Sequence, residues 1–185
     1  MTTLSRTTTP PPCRAPVTAA GVALLDQCGG FIAAVAAEDG RYAQLSRVLP
    51  GGTIGKHVRH CLDHFRAALE GFDRGSPIDY DHRERNVPME SEPAAALGAI
   101  EELAGRLRNL DDAALSSPVR VRVMLSGDGQ EAELESTLGR ELAFATHHAI
   151  HHNAMMVAIA SELGIRVGPD FGKAPSTINH ERSGR

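Results

Sequence analysis

The histidines constrain this chain more than any other feature. Seven of its nine lie in two short segments: His57, His60 and His64 within residues 55–65, and His147, His148, His151 and His152 within residues 146–154. In an α-helix, side chains at i and i+4 stack on one face. The second segment therefore holds two overlapping His-x-x-x-His pairs, His147 with His151 and His148 with His152. Either pair could give two imidazoles to one metal ion. His57, His60 and His64 share a stripe, and any of them could supply a third. Such a site is built in a bundle core from facing helices. Three histidines leave a fourth coordination position open, as in catalytic zinc sites. An ion there could acidify bound water to a pKa near ~7, polarise a substrate oxygen or hold a thiolate. The competing reading is two exposed polar clusters. It fits poorly, because Leu142, Phe144, Ile150, Met155, Met156, Val157 and Ile159 surround the second segment, and an all-round solvated helix is not apolar. Periodicity leaves the register open. One inner face would contain Leu138, Leu142, Ala145, Ala149, His152, Met156 and Ile159; the other would contain Glu141, Phe144, His148, His151 and Met155.

The rest of the chain supplies the helices that such a site needs. Residues 1–15 are Thr- and Pro-rich and read as a disordered tail. Leu24, Leu25, Cys28, Phe31, Ile32 and Val35 mark a first helix over about 17–38, weakened by Gly29 and Gly30. Thr53 is the expected N-cap of a second helix reaching about Phe72. A polar link over 73–90 follows, and a link of that length is often functional. Pro93 suits the first turn of a third helix, with Leu97, Ile100, Leu103, Leu107 and Leu110 as its apolar stripe. Residues 119–125 and 131–135 alternate apolar and charged side chains around Ser126-Gly127-Asp128-Gly129, predicting a β-hairpin. The fourth helix begins near Ser136 or Thr137 and stops by Gly164. The expectation is an all-α four-helix bundle over 16–168, a small hairpin between helices three and four, and a C-terminal tail over 169–185.

Composition removes several classes of function. With 19 basic against 23 acidic residues and no basic run, no nucleic-acid footprint is present. Cys13, Cys28 and Cys61 are odd in number and irregularly spaced, which argues against a disulfide framework and for a reducing cytoplasm. No signal peptide and no run of ~20 apolar residues is read, so no membrane partner is expected. Aromatic residues make up 4% and Trp is absent, so the core must be built from Ala, Leu, Val and Ile.

The residues 53–60, Thr-Ile-Gly-Lys-His-Val-Arg-His, resemble the helix-two signature of the DinB-like (YfiT-like) superfamily, in which a hydrophobic-Gly start precedes a ligand His. His148-x-x-x-His152, followed by Asn153 and Ala154, resembles that family's helix-four signature. The resemblance covers about residues 17–165. It implies an up-down-down-up bundle and a divalent ion, zinc before nickel or iron, on His60, His148 and His152. Relatives in such a family resemble thiol-dependent S-transferases, isomerases and hydrolases, so a small-molecule substrate, a low-molecular-weight thiol among the candidates, is the implied partner. Two readings follow: a metal-dependent enzyme that activates a thiol or water, and a non-catalytic metal-binding or stress-associated protein. No interface is legible for the homodimer that such bundles often form.

Other residues carry paired readings. Glu141 could orient a ligand His or act as a base, but a carboxylate also suits the first turns of a helix. Asp63 could support a ligand or pair with Arg59 or Arg66. His57, His64, His147 and His151 could line the mouth of the site. Arg83 and Arg85 could clamp an anionic substrate, though loop arginines are more often surface charge. Cys61 points about 100° away from His60 on the helix and reads as core, as does Cys28.

Overall fold

Pro16 opens the first helix, α1 (Pro16–Ala36), whose buried stripe is Val22, Leu25, Cys28, Phe31, Ile32 and Val35. The computed structural model describes residues 15–38 and 40–184. The tail expected over 1–15, apart from Ala15, and Cys13 with it, lie outside the described residues. In α2 (Ile54–Arg74), the Thr53 hydroxyl accepts the Lys56 N–H at 3.0 Å, the cap expected of it, and Gly75 closes the helix in the left-handed region. α3 spans Pro93–Asn109. α4 (Leu138–Glu162) is capped by Thr137, and Gly164 follows it with φ 74°. Each such cap contributes about 1 kcal/mol.

The helices form a ring in the order α1, α3, α2, α4. Their directions follow from named contacts. Gly21 lies against Leu107 and Gly29 against Leu97 and Ile100, so α1 and α3 run antiparallel. Gly55 touches Glu90 just before α3, while Asp73 meets Arg106, so α2 and α3 run parallel. His57 faces His152 and His60 faces His148, so α2 and α4 run antiparallel. The result is the up-down-down-up bundle.

The hairpin is present as β2 (Pro118–Met124) and β3 (Glu131–Thr137), registered from Pro118 opposite Thr137 to Met124 opposite Glu131. Val119 and Val121 turn inward, and β3 is largely exposed. Three features differ from the sequence expectation. The 73–90 link contains a short strand, β1 (Ile78–Asp79), which pairs in parallel with β2 and makes the sheet three-stranded. The segment expected to be a tail contains α5 (Pro175–Ser183), and Phe171 before it stacks on Phe31 with ring centroids 4.4 Å apart. Two residues of strand and a helix with no buried residue carry almost no periodic signal, so only tertiary contact reveals them. Finally, α1 is long and apolar enough by length and composition to cross a membrane, contrary to the expectation that no stretch would be. Here its apolar stripe packs on α3 and α4.

The link is tied to α2 by buried polar contacts. Arg59, 8% exposed, pairs with Glu90 at 2.9 Å and Asp63 at 3.1 Å and donates to the Glu84 carbonyl at 3.1 Å. The Tyr42 hydroxyl donates to the Met89 carbonyl at 2.8 Å. Beneath them the backbone of Glu90 passes so close to Gly55 that a Cβ there would overlap the Glu90 carbonyl and sit 2.7 Å from the Tyr42 ring. Gly55→Ala should therefore destabilise the fold by about 1–3 kcal/mol or more through overpacking. Gly98→Ala at an exposed position of α3, where a Cβ meets nothing within 4 Å, should stabilise by about 0.5–1 kcal/mol. Denaturant midpoints of the two variants check the contrast; equal effects would mean that the Gly55 contact is not tight.

Candidate metal centre

The α2–α4 interface is apolar along most of its length. Val58, Cys61, Leu62 and Phe65 come from α2, and Leu142, Ala145, Ala149 and Met156 from α4. Burial of the stripe Leu138, Leu142, Ala145, Ala149, Met156 and Ile159 fixes the rotation of α4. His148 and His152 then flank that stripe on the side facing α2, while His147 and His151 are exposed. Of the two pairs left open by periodicity, the structure thus turns His148 and His152 inward.

These two meet His60. The Nε2 atoms of His60 and His148 are 2.8 Å apart, and one nitrogen from each of His60, His148 and His152 lies within 4.8 Å of the others. An ion at about 2.0–2.1 Å from tetrahedrally placed nitrogens would hold them about 3.3 Å apart, a value inside that range. The donor set fits a divalent ion that accepts imidazole. Burial pulls the pKa of His60 down to about 2, with Arg83 and the neighbouring histidines adding to the effect. Burial likewise lowers His152 to about 3, helped first by His148 and then by His57. His148 is lowered by burial and then by His151 and Arg83. All three rings are therefore neutral at pH 7, the state in which imidazole binds metal.

His64 lies against the group. It is 4% exposed, its ring centroid is 4.2 Å from that of His148, and Tyr80 stacks on it with centroids 4.9 Å apart. Its Nδ1 lies 2.8 Å from the His60 carbonyl. A carbonyl only accepts, so Nδ1 carries the hydrogen and Nε2 keeps the lone pair. His57 joins from the other side, its Nδ1 2.9 Å from Nδ1 of His152.

Glu141 neither touches a histidine nor sits idle in the first turn. It is fully buried and accepts from Tyr80 Oη at 2.8 Å, Ser136 Oγ at 2.6 Å and Arg140 Nη1 at 2.9 Å. Its effect on the site passes through Tyr80, a residue that sequence reasoning did not single out. The Ile78-Asp-Tyr segment carried no signal for it beyond its place in a long link. Asp63 is held by Arg59 at 3.1 Å and Arg66 at 3.7 Å, the ion-pair reading. Cys61 points into the core, its Sγ 3.9 Å from the Ala149 carbonyl, and Cys28 is buried in the same core.

A cleft of about 620 Å³ opens beside the cluster, between α2 and the link, lined by Asp63, Arg66, Arg74, Tyr80 and Arg83 among others. Arg66 and Arg74 lie within ion-pair distance of Asp63 and Glu70. Arg83 donates to the Tyr80 carbonyl at 3.2 Å, but among the described residues it has no carboxylate within ion-pair distance, and its Nε is shielded from solvent and unbonded.

Comparison with known proteins agrees with this architecture. The model of the DinB superfamily matches residues 37–156. FK506-binding protein 5 of Rhizopus delemar is 36% identical over 104 residues, which are 56% of this chain and 27% of that protein. This chain thus spans about a quarter of that relative's length. The solved structure of YfiT from Bacillus subtilis, described as a probable metal-dependent hydrolase with an unusual four-helix bundle topology, matches with a TM-score of 0.54 at 17% identity. The match covers 86% of this chain and 95% of that one, and at such identity it speaks for the fold.

The neutral imidazoles make stability depend on pH. Their folded pKa values lie below the unfolded value of about 6.5, so the unfolded chain takes up protons that the folded chain refuses. Their contribution is complete above pH ~6.5 and is lost as pH falls below it. Chelator-treated protein should melt at a distinctly lower temperature at pH 5 than at pH 7. Melting temperatures unchanged over that range would show that the rings protonate freely in the folded state.

Proposed function

The chain belongs to the DinB superfamily, and from that premise we propose that it is a metal-dependent enzyme acting through a divalent ion, zinc before nickel or iron, on His60, His148 and His152. One observation carries the reading: three neutral imidazole nitrogens from two helices converge within 4.8 Å. A bound ion supplies Lewis acidity, which acidifies water or a thiol and polarises a substrate oxygen. The chain's own groups do the rest. His64 Nε2, its lone pair free because Nδ1–H is committed to the His60 carbonyl, takes the proton from the attacking water or low-molecular-weight thiol. Tyr80 and Phe144 pack against the His64 ring, with centroids at 4.9 and 5.8 Å, and hold it in place. Arg83, cationic and with no carboxylate within ion-pair distance among the described residues, seats an anionic group of the substrate.

The non-catalytic alternative needs a fourth protein donor to close the coordination sphere. Cys61 is turned into the core, Asp63 is held by two arginines, and His57 and His64 fall outside the group of nitrogens that lie within 4.8 Å of one another, which favours the open position and hence the enzyme.

Metal analysis tests the reading directly. Wild-type protein should retain about one ion per chain, and His60→Ala and His148→Ala should lose it while keeping the helical circular-dichroism spectrum. A wild type that takes up no Zn²⁺, Ni²⁺ or Fe²⁺ would overturn the proposal. In cobalt-loaded protein, 3-mercaptopropionate should bind about tenfold more tightly than uncharged 2-mercaptoethanol, as read from the thiolate-to-cobalt absorption. Arg83→Gln should erase that preference. A preference that survives the substitution would remove Arg83 as the anion seat.

A further inference from the structure

His57 lies outside the three-nitrogen group, yet it makes one of the shortest contacts in the cluster. It stands one turn before His60 on α2, half-buried. Its Nδ1 is 2.9 Å from Nδ1 of His152, with the rings inclined at 37°. Its Nε2 faces the loop before α2, where a Cβ on Gly52 would lie 3.2 Å away. The meaning of the contact follows from counting hydrogens, on the reading that the triad holds an ion.

A neutral imidazole has one N–H and one lone pair. With Nδ1 of His152 turned to His57, Nε2 is its nitrogen left for an ion. The His152 hydrogen must then sit on Nδ1, and that N–H points at Nδ1 of His57. For the 2.9 Å contact to be a hydrogen bond, His57 Nδ1 must be the acceptor and its own hydrogen must lie on Nε2, toward the loop. Metal-bound histidines generally give their outer N–H to a carboxylate, a backbone carbonyl or water, which fixes tautomer and ring orientation. Here an imidazole takes that place. Among the described residues, no comparable partner faces Nδ1 of His60 or His148. The nearby carboxylate on α2, Asp63, is engaged by Arg59 and Arg66.

We infer that His57 is a positioning residue for the metal centre: it accepts the Nδ1–H of His152 and holds that ring with Nε2 directed at the ion. The acceptor is uncharged, so the bound ion keeps its full double charge against the imidazole donors. A carboxylate in the same place would offset part of it.

The experiment compares wild type, His57→Phe and His57→Gln. The phenyl ring keeps the approximate shape without an acceptor. The glutamine keeps an acceptor without an imidazole. Zn²⁺ affinity is measured by chelator competition, and the zinc-loaded proteins are examined by ¹⁵N NMR after histidine labelling. His57→Phe should bind Zn²⁺ roughly 10- to 100-fold more weakly and lose the slowly exchanging His152 Nδ1–H signal. His57→Gln should recover most of the affinity. Wild-type affinity in His57→Phe would overturn the inference while leaving the triad intact. So would a metal-bound ¹⁵N shift at His57, or two ions per wild-type chain. No zinc binding by wild-type protein would instead remove the triad itself, and this inference with it. Melting curves of the metal-free variants show whether any loss comes from misfolding.

Discussion

Everything at this site depends on the antiparallel contact of α2 with α4. It brings residues 57, 60 and 64 of one helix against 152, 148 and 144 of the other in descending order. It also buries His64 and half-buries His57, His60, His148 and His152 beside the core residues Val58, Leu62, Ala145 and Ala149. A buried charged ring would be costly, so the packing that assembles the cluster also keeps it neutral, and neutral imidazole is the metal-binding form. Assembly and chemistry therefore share one cause. The close passage of Glu90 over Gly55 anchors the N-terminal end of α2.

The hairpin contributes to the site from a distance. Its strand β2 pairs with β1, fixing Ile78 and Asp79 opposite Val121 and Arg122. Asp81 then accepts the Met124 N–H at 2.8 Å. Between these two attachments stands Tyr80, whose ring lies on His64 and whose hydroxyl reaches Glu141. A sequence insertion between α3 and α4 thus holds the link between α2 and α3 and, through it, one wall of the histidine cluster. The buried Glu141 carboxylate receives three donors, so it is satisfied without drawing on the imidazoles.

The sequence was informative where a period repeats. Four helices, the cap at Thr53 and the hairpin all follow from local pattern, whereas the start of the fourth helix stayed open between Ser136 and Thr137 until the structure placed the cap on Thr137. The candidate ligands were narrowed to two helices but not to three residues. His147 and His148 precede partners four residues on with equal regularity, and only the buried stripe from Leu138 to Ile159 turns one pair inward. The DinB-like motif pointed to His60, His148 and His152, and the structure brings that set together. What escaped detection was non-periodic or long-range. β1 has two residues, α5 buries none of its side chains, and the bonds of Tyr80 to Glu141 and His57 to His152 join residues 61 and 95 positions apart. α1 has the length and composition of a membrane span because its core face is extensive and its remaining positions are mostly Ala and Gly.

The charge arrangement gives the site a direction. Three neutral imidazoles leave the charge of a divalent ion undiminished, and Arg83 adds a cationic group close enough to help lower His60, His64 and His148. Arg59 does not add to this field in the same way, because Asp63 and Glu90 lie against it. On the proposed reading, positive charge would have two centres, a bound ion and Arg83, the second partly offset by Asp63 and Asp81, with the cleft alongside. A substrate with two anionic ends, one able to reach an ion and one matched to a guanidinium, would be drawn in and oriented by the same field. A neutral substrate would gain from one centre only, and an ammonium group near Arg83 would be repelled. On the proposed reading, the polarity of the ligand would follow from Arg83, which among the described residues has no carboxylate within ion-pair distance in the cleft wall, a feature that composition, with its small acidic excess, conceals.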